Sequence, residues 1–436
     1  MSSGVSIGSN DAQLVPHPLR GVILGEVHAR PFTPILAPCR ILHFAFETSG
    51  TLAQADRANL VKLCIERGLD PPSAMEKHHR APFGTTTLRW EQHSEFTTYT
   101  WEIPGLGVRP FHPNASSVAS AMQTLPQPGL LLVAIDLHLL ADDPDRTAPE
   151  RLFDKSSLAV AENSDAMALY ATDFQTSETG FVRILVADRG MPAERTGALV
   201  QRLIEIETYR TLALLGLPEA QRLAPSISAS EKRLVGVTAE MQQANDLDSN
   251  HKLLDELTAL AAEVEAGAAA SVFRFGATRA YEEIVEQRLQ TIGERKVGGW
   301  PTWSSFLARR MKPALRTCVT IEQRQSNLSL KLARAANLLR TRVDVELEQQ
   351  NQSLLRSMNA RTRLQLRLQS TVEGLSVAAI TYYVVGLFSY VVKALHDSGA
   401  VHVEPGIATA GFVPVAAITI WWMIGHIRRK HIAEED

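Results

Sequence analysis

Apolar and polar residues alternate with period two through RILHFAF (40–46), GTTTLRW (84–90), EFTTYTWEI (95–103), GLLLVAIDLHL (129–139), DAMALYATDF (165–174) and GFVRILVAD (180–188). With their β-branched and aromatic content these runs predict strands, the second and third forming a hairpin about EQHS. Helical spacing predicts helices over 52–66, 193–215, 231–244 and 250–266, the Pro/Ser punctuation at 225–230 separating the second from the third. One early βα step, then mostly strands, then helices describes an α+β (mixed α/β) head of roughly 220 residues.

The pattern changes after position 313. From 314 to 373 there are 60 residues with no Gly and no Pro, rich in good helix formers. Apolar positions recur at Leu328, Leu332, Ala336, Leu339, Val343, Leu347, Leu354 and Met358, mostly in steps of three and four. Gln350 and Arg361 fall on or near that stripe, so one or two long helices packed in a bundle or an oligomer are expected rather than an autonomous coiled coil. Two uncharged segments follow, the 19 residues GLSVAAITYYVVGLFSYVV and the 23 residues PGIATAGFVPVAAITIWWMIGHI. At 1.5 Å per residue the first reaches about 29 Å, one hydrocarbon core, and the second crosses with some tilt. The expectation is a C-terminal two-helix transmembrane hairpin in the lipid bilayer.

Charge orients the hairpin. Arg356, Arg361, Arg363 and Arg367 precede the first span, Arg428, Arg429 and Lys430 follow the second, and the joint holds only Lys393 against Asp397 and Glu404. The positive-inside rule then puts both termini in the cytoplasm. Residues 309–371 carry thirteen Lys/Arg against four acids, which leaves the first 308 residues at −10 within a chain of net −3. A basic stalk base can meet anionic lipid headgroups or simply be a solvated face. The expected organisation is a cytoplasmic head over 1–225, a helical connector over 226–300, a basic stalk over 301–372, spans at 373–393 and 405–427 about an outer loop, 394–404, and a tail, 428–436.

Composition narrows the function classes. With 45% hydrophobic and 21% charged residues the chain is a folded protein, and its near-neutral charge gives no electrostatic basis for a nucleic-acid partner. Cys39, Cys64 and Cys318 are far apart, so neither a disulfide framework nor a cysteine zinc site is suggested. The opening MSSGVSIGSNDAQ has no basic and apolar leader pattern.

Two polar clusters are candidates for chemistry. HPLRGVILGEVHARPF gathers His17, Arg20, Glu26, His28 and Arg30; Glu26 and His28, two apart, share a face of an extended chain and could do acid–base work or bind a metal or anion. His78, His79 and Arg80 with Trp90, Glu91, His93 and Glu95 form the second. The plainer and favoured reading is structural for both, the first a hydrogen-bonded segment that pins the N-terminus to the head and the second a fold-stabilising hairpin. HExxH, GxGxxG and GxxxxGK[ST] are absent, and the string GVSIG (4–8) stands in the opening segment with no predicted strand before it, so no catalytic signature and no cofactor is expected. In the first span Ser376, Thr381, Tyr382, Tyr383 and Ser389 could line a pore with Glu373 at its inner mouth, or pack and back-bond within a helix pair.

Three stretches carry a resemblance: HPLRGVILGEVHARPF, LRWEQHSEFTTYTW, and the run from RTCVTIEQRQSNLSLKLARAANLLRTR to AAITYYVVGL. They resemble the DUF3422 family of bacterial membrane-anchored proteins, over nearly the whole chain. The resemblance implies an inner-membrane protein and transfers no catalytic residues. In architecture the chain is also similar to CorA-type magnesium channels, but HDSGAVHVEPG stands where those carry Gly-Met-Asn. Three functions remain open: a sensing or scaffolding head on a self-associating (homo-oligomeric) stalk, a CorA-like oligomeric channel, and a tethered enzyme using Glu26, His28 and Arg30 with Glu91 or His93.

Overall fold

The computed structural model describes residues 17–21, 23–24, 32–74, 76–105, 109–112, 122, 125–244, 246–399 and 402–432, the last six by backbone alone. The chain divides into two compact units, 1–239 with 256–335, and 240–255 with 336–436.

The first unit is built on one mixed sheet. Its strands are β1 (Cys39–Glu47), β2 (His78–Phe83), β3 (Thr86–Gln92), β4 (Phe96–Pro104), β5 (Leu130–Ala141), β6 (Ala159–Glu162), β7 (Ala168–Thr172), β8 (Val182–Asp188) and β9 (Arg295–Lys296). They lie in the order β2-β3-β4-β1-β5-β8-β7-β6-β9. β5 and β8 pair parallel; the other neighbours pair antiparallel. The expected hairpin forms, with Gln92 opposite Thr97.

Because successive side chains point to opposite faces, each strand serves two cores. Ile41, Ile135, Leu137, Ile184 and Val186 enter one face, covered by Leu199 and Leu203 of helix α2 (Ala193–Leu214), by Val285 and Leu289 of α4 (Leu247–Ile292), and by Trp303 and Phe306 of α5 (Trp303–Asp397). Leu42, Phe44, Leu88, Trp90 and Tyr99 enter the other, against Leu60 and Leu63 of α1 (Thr51–Glu66). Asp56 of α1 ties this second layer to the sheet, accepting hydrogen bonds from Trp90 Nε1 at 3.0 Å and Tyr99 Oη at 2.5 Å. Burial raises its carboxyl above the ordinary range, and these bonds only partly offset that.

Helix α3 (Gly216–Gln243) departs from expectation by running through Pro225 and the serines beyond it. Ala220, Leu223, Ile227, Leu234 and Val237 are buried at mostly helical spacing, so packing of that face outweighs the local breakers. Helix α4 likewise continues well past 266.

Close backbone approach fixes α2. A Cβ at Gly197 would stand 1.8 Å from the Thr33 carbonyl oxygen, beside the Ile35 amide that donates to Ala193 at 3.1 Å. Gly197→Ala is therefore expected to push that segment off the helix and cost about 1–3 kcal/mol, seen as faster hydrogen exchange at the Ile35 amide. Unchanged exchange would show that α2 can shift without loss.

In the second unit Leu339 and Val343 are buried, Asn250 Nδ2 donates to Glu346 at 2.9 Å, and Arg342 Nη1 donates to the Met241 carbonyl at 2.8 Å. Further along α5 the stripe opens: Leu354 and Met358 are exposed, as are Leu364 and Leu368. Helix α6 is Pro405–Ile432. Both α5 and α6 contain stretches long and apolar enough to cross a membrane, and they meet through Phe388 and Phe412, whose rings stack at 3.9 Å.

Candidate functional site

The polar-aromatic cluster around β3 splits between the two faces of the sheet. Trp90 turns to the α1 side, whereas Arg89 and Glu91 turn toward α2 and α4. There, with His43, His93, Thr98, Gln201, Glu205, Arg288 and Phe32, they line a small cavity of about 120 Å³. Arg89 and Glu91 are only 6% and 7% exposed.

The charges in this cavity are organised. Arg89 Nη1 donates to Gln201 Oε1 at 2.9 Å, Gln201 Nε2 donates to Glu205 Oε1 at 3.0 Å, and Arg288 Nε donates to Glu205 Oε2. Glu91 Oε2 lies 3.7 Å from Arg89 Nε, too far for a hydrogen bond, and the buried Nε has no hydrogen-bond partner among the described residues. Thr98 Oγ1 reaches Glu91 Oε2 at 3.5 Å. His43 lies between Thr100 Oγ1, 2.8 Å from Nδ1, and Thr208 Oγ1, 3.1 Å from Nε2. Burial, then the Arg89 charge, pushes its pKa down to about 3, so it is neutral near pH 7. His93 stacks on Phe96 at 4.1 Å. Glu95 instead holds α4, accepting from Tyr281 Oη at 2.5 Å and from Arg274.

A second polar centre opens on the opposite face. Arg40 of β1 and Asp136 of β5 form a fully buried two-point pair, Nε to Oδ1 at 2.8 Å and Nη2 to Oδ2 at 2.7 Å. His138 Nε2 lies 3.2 Å from Asp136 Oδ1. Burial opposes ionisation of Asp136, but His138 and Arg40 more than offset it and hold the carboxyl below its ordinary range. Asp136 forms part of the wall of a cleft of about 1060 Å³ that also presents Arg109, Arg146, Arg151 and Arg183. Arg183 stands over the rings of Phe111 and Phe153 at 5.3 and 5.5 Å.

Of the residues singled out in the sequence, Glu91 and His93 meet in the small cavity. Glu26, His28 and Arg30 lie outside the described residues, so their meeting with Glu91 or His93 is not on view; Phe32, the second residue after Arg30, lines the cavity. His17 and Arg20 are exposed. His79 is buried in β2, its Nδ1 3.6 Å from Glu76, and Arg80 Nη2 donates to Glu102 at 2.6 Å. In the apolar part of α5, Ser376 Oγ donates to the Val372 carbonyl at 2.9 Å and Thr381 Oγ1 to that of Val377 at 2.6 Å, the back-bonding alternative to pore lining; Tyr383 is exposed and Glu373 half-buried. Arg356, Arg361, Arg363 and Arg367 are exposed, and the side chains of Arg428, Arg429 and Lys430 lie outside those described. No three metal-ligating side chains gather among the described residues.

Reading along the chain misses His43, Arg89, Gln201, Glu205, Arg288 and the Arg40–Asp136–His138 set. The last had a signal, charged residues at alternating positions inside otherwise apolar strands, which demand a buried partner.

Among curated proteins none matches the chain. The family described as a protein of unknown function, DUF3422, matches residues 15–431, nearly the whole of the 436, and the chain belongs to that family.

Proposed function

We propose that this protein is a membrane-anchored receptor: its C-terminal hairpin lies in the bacterial inner membrane with both termini cytoplasmic, its stalk self-associates, and its head takes up a small solute. The observation that carries the reading is the cavity holding Arg89 and Glu91. Two nearly buried, opposite charges 3.7 Å apart without a hydrogen bond between them form a binding feature more than a proton-transfer device. The cavity is walled partly by α4, whose Val285 and Leu289 pack in one core with Phe306 and Met311 of α5, the helix that contains the first apolar stretch. Occupancy at Arg288 therefore has a packed route into α5 within the first unit.

Self-association draws on the exposed Leu354, Met358, Leu364 and Leu368, apolar surface that a second copy would cover. The arginines at 356, 361, 363 and 367 would face anionic headgroups at the membrane surface.

The mass of the solubilised full-length protein tests the arrangement. A small oligomer, dimer upward, that survives when the chain is truncated before Val372 is expected for stalk-driven association. A monomer would remove self-association. A ring that forms only with the spans present would favour the channel reading, with first spans converging on an axis, and would call for ion-flux measurements.

A further inference from the structure

The open cleft beside Asp136 presents three guanidinium groups that no carboxylate among the described residues hydrogen-bonds. Arg109, Arg151 and Arg183 line it from three separate segments: the stretch before Phe111, the short helix Pro149–Leu152, and β8. Arg109 and Arg151 are exposed and make no ion pair among the described residues. Arg183 Nη2 lies 3.7 Å from Asp173 Oδ2, too far for a hydrogen bond, and Asp173 already accepts from the Asp154 and Gln175 amides at 3.2 and 3.1 Å. Of the acids in the wall, Asp136 is held by Arg40, while Asp145 and Glu178 are exposed and bond none of the three arginines. Arg146, also in the wall, has an interaction of its own, and His112 adds an imidazole. The stretches 106–108 and 113–121, on either side of Arg109 in the chain, contain no charged residue.

One aromatic node gathers the three. Arg183 stands over the rings of Phe111 and Phe153, which meet edge to face at 5.7 Å. Arg109 is two residues before the first ring and Arg151 two before the second, so each Cα is at most about 7 Å from that of its phenylalanine. Stacking fixes the plane of the Arg183 guanidinium without using its N–H groups. Phe111 itself is held in the left-handed region at φ 60°, its amide donating to His138 Nδ1 at 3.4 Å. That is a costly conformation for a bulky residue, and it sets the ring against Arg183.

A monocarboxylate is satisfied by one two-point guanidinium, as Asp136 is by Arg40. Three forks from three segments suit an oxyanion with more oxygens and more charge, and a phosphoryl dianion has both. Ser177 and Thr179, whose hydroxyls lie 3.0 Å apart in the same wall, add neutral donors. We propose that the cleft binds a phosphoryl group, as free phosphate or as a phosphate monoester, between Arg109, Arg151 and Arg183. The site lies on the face of the sheet opposite the Arg89 cavity and stands or falls separately from the receptor reading.

The test is isothermal titration of the full-length protein, in nanodiscs of zwitterionic lipid at fixed salt, with phosphate, glycerol phosphate, acetate and citrate. Phosphate or glycerol phosphate should bind at least about tenfold more tightly than acetate or citrate, and the tighter of the two names the source, free ion or ester. Arg109→Gln and Arg151→Gln, both at exposed side chains, should each weaken that binding by about tenfold. Arg183→Lys keeps the charge but loses the fork and the ring contact, so it should weaken binding as well. Acetate or citrate binding as tightly as the phosphates would overturn the phosphoryl assignment, and so would binding of none of the four, a comparison that needs no variant to fold. Phosphate binding that Arg109→Gln and Arg151→Gln both leave unchanged would place the ion elsewhere and overturn the proposal. Arg183→Lys binding as the original does would reduce the site to diffuse charge attraction and overturn it likewise.

Discussion

Asp136→Asn should destabilise the sheet by about 3–5 kcal/mol, because it removes the charge that compensates a guanidinium with no access to water. Arg40 is fully buried, and its Nε and Nη2 bonds to the Asp136 carboxylate are both short. Amide exchange in β1 and β5, read by mass spectrometry on the full-length protein, reports the opening free energy of this part of the fold directly. Arg40→Met should act in the same direction, stranding the carboxylate beside His138. Replacing both at once, Arg40→Met with Asp136→Leu, should recover much of the loss, since an apolar pair needs no compensation. A cost below about 1 kcal/mol for Asp136→Asn would mean that water reaches Arg40 through the neighbouring cleft. That cleft would then be wet at its base, and the pair would be part of its ligand surface and not of the scaffold.

The same pair shows what a linear reading can and cannot recover. Strands β1, β3, β4, β5 and β8 are legible because alternation of polar and apolar residues is a local property of each segment. β2 is not: HHRAPF has a proline and three basic or imidazole side chains, and its place at the sheet edge is what permits them. β6 and β9 are too short to show a period. The helix through Pro225 is decided by the burial of Leu223, Ile227 and Leu234, which no local propensity contains. The apolar stripe of the stalk reads correctly as far as Val343, where it finds packing within the chain, and is exposed beyond. The candidate site divides on the same line. Glu91 and His93 are visible as polar residues in a hairpin, but Gln201 lies 112 positions from the Arg89 that it bonds, and only the fold makes them neighbours. Arg89 itself is hidden inside GTTTLRW, where alternation makes it look like a solvent-facing position.

His43 carries the second large effect, an acid limb in the stability curve. Its folded pKa is about 3 against an ordinary value of 6.5, because burial and the Arg89 charge oppose the imidazolium, while Glu91 favours it weakly and His93 opposes it. The lowered folded value means that its contribution is fully present above the unfolded pKa. As pH falls below about 6.5 the unfolded chain takes up a proton that the folded chain refuses, and stability drops by up to about 1.4 kcal/mol per pH unit until the folded pKa is approached. Asp56 slopes the opposite way, since its raised folded pKa contributes stability that is lost as pH rises through that value. The depressed Asp136 adds its own loss only toward more acid pH. Comparing the protein with His43→Gln removes these shared slopes. Glutamine can still bond Thr100 and Thr208 but cannot titrate, so the variant should be less stable than the original at pH 7 and close the gap as pH falls to 5. Exchange of the β1 amides at the two pH values measures the gap. A gap that stays constant would show that the imidazole can be protonated in place, with Glu91 as its counter-ion.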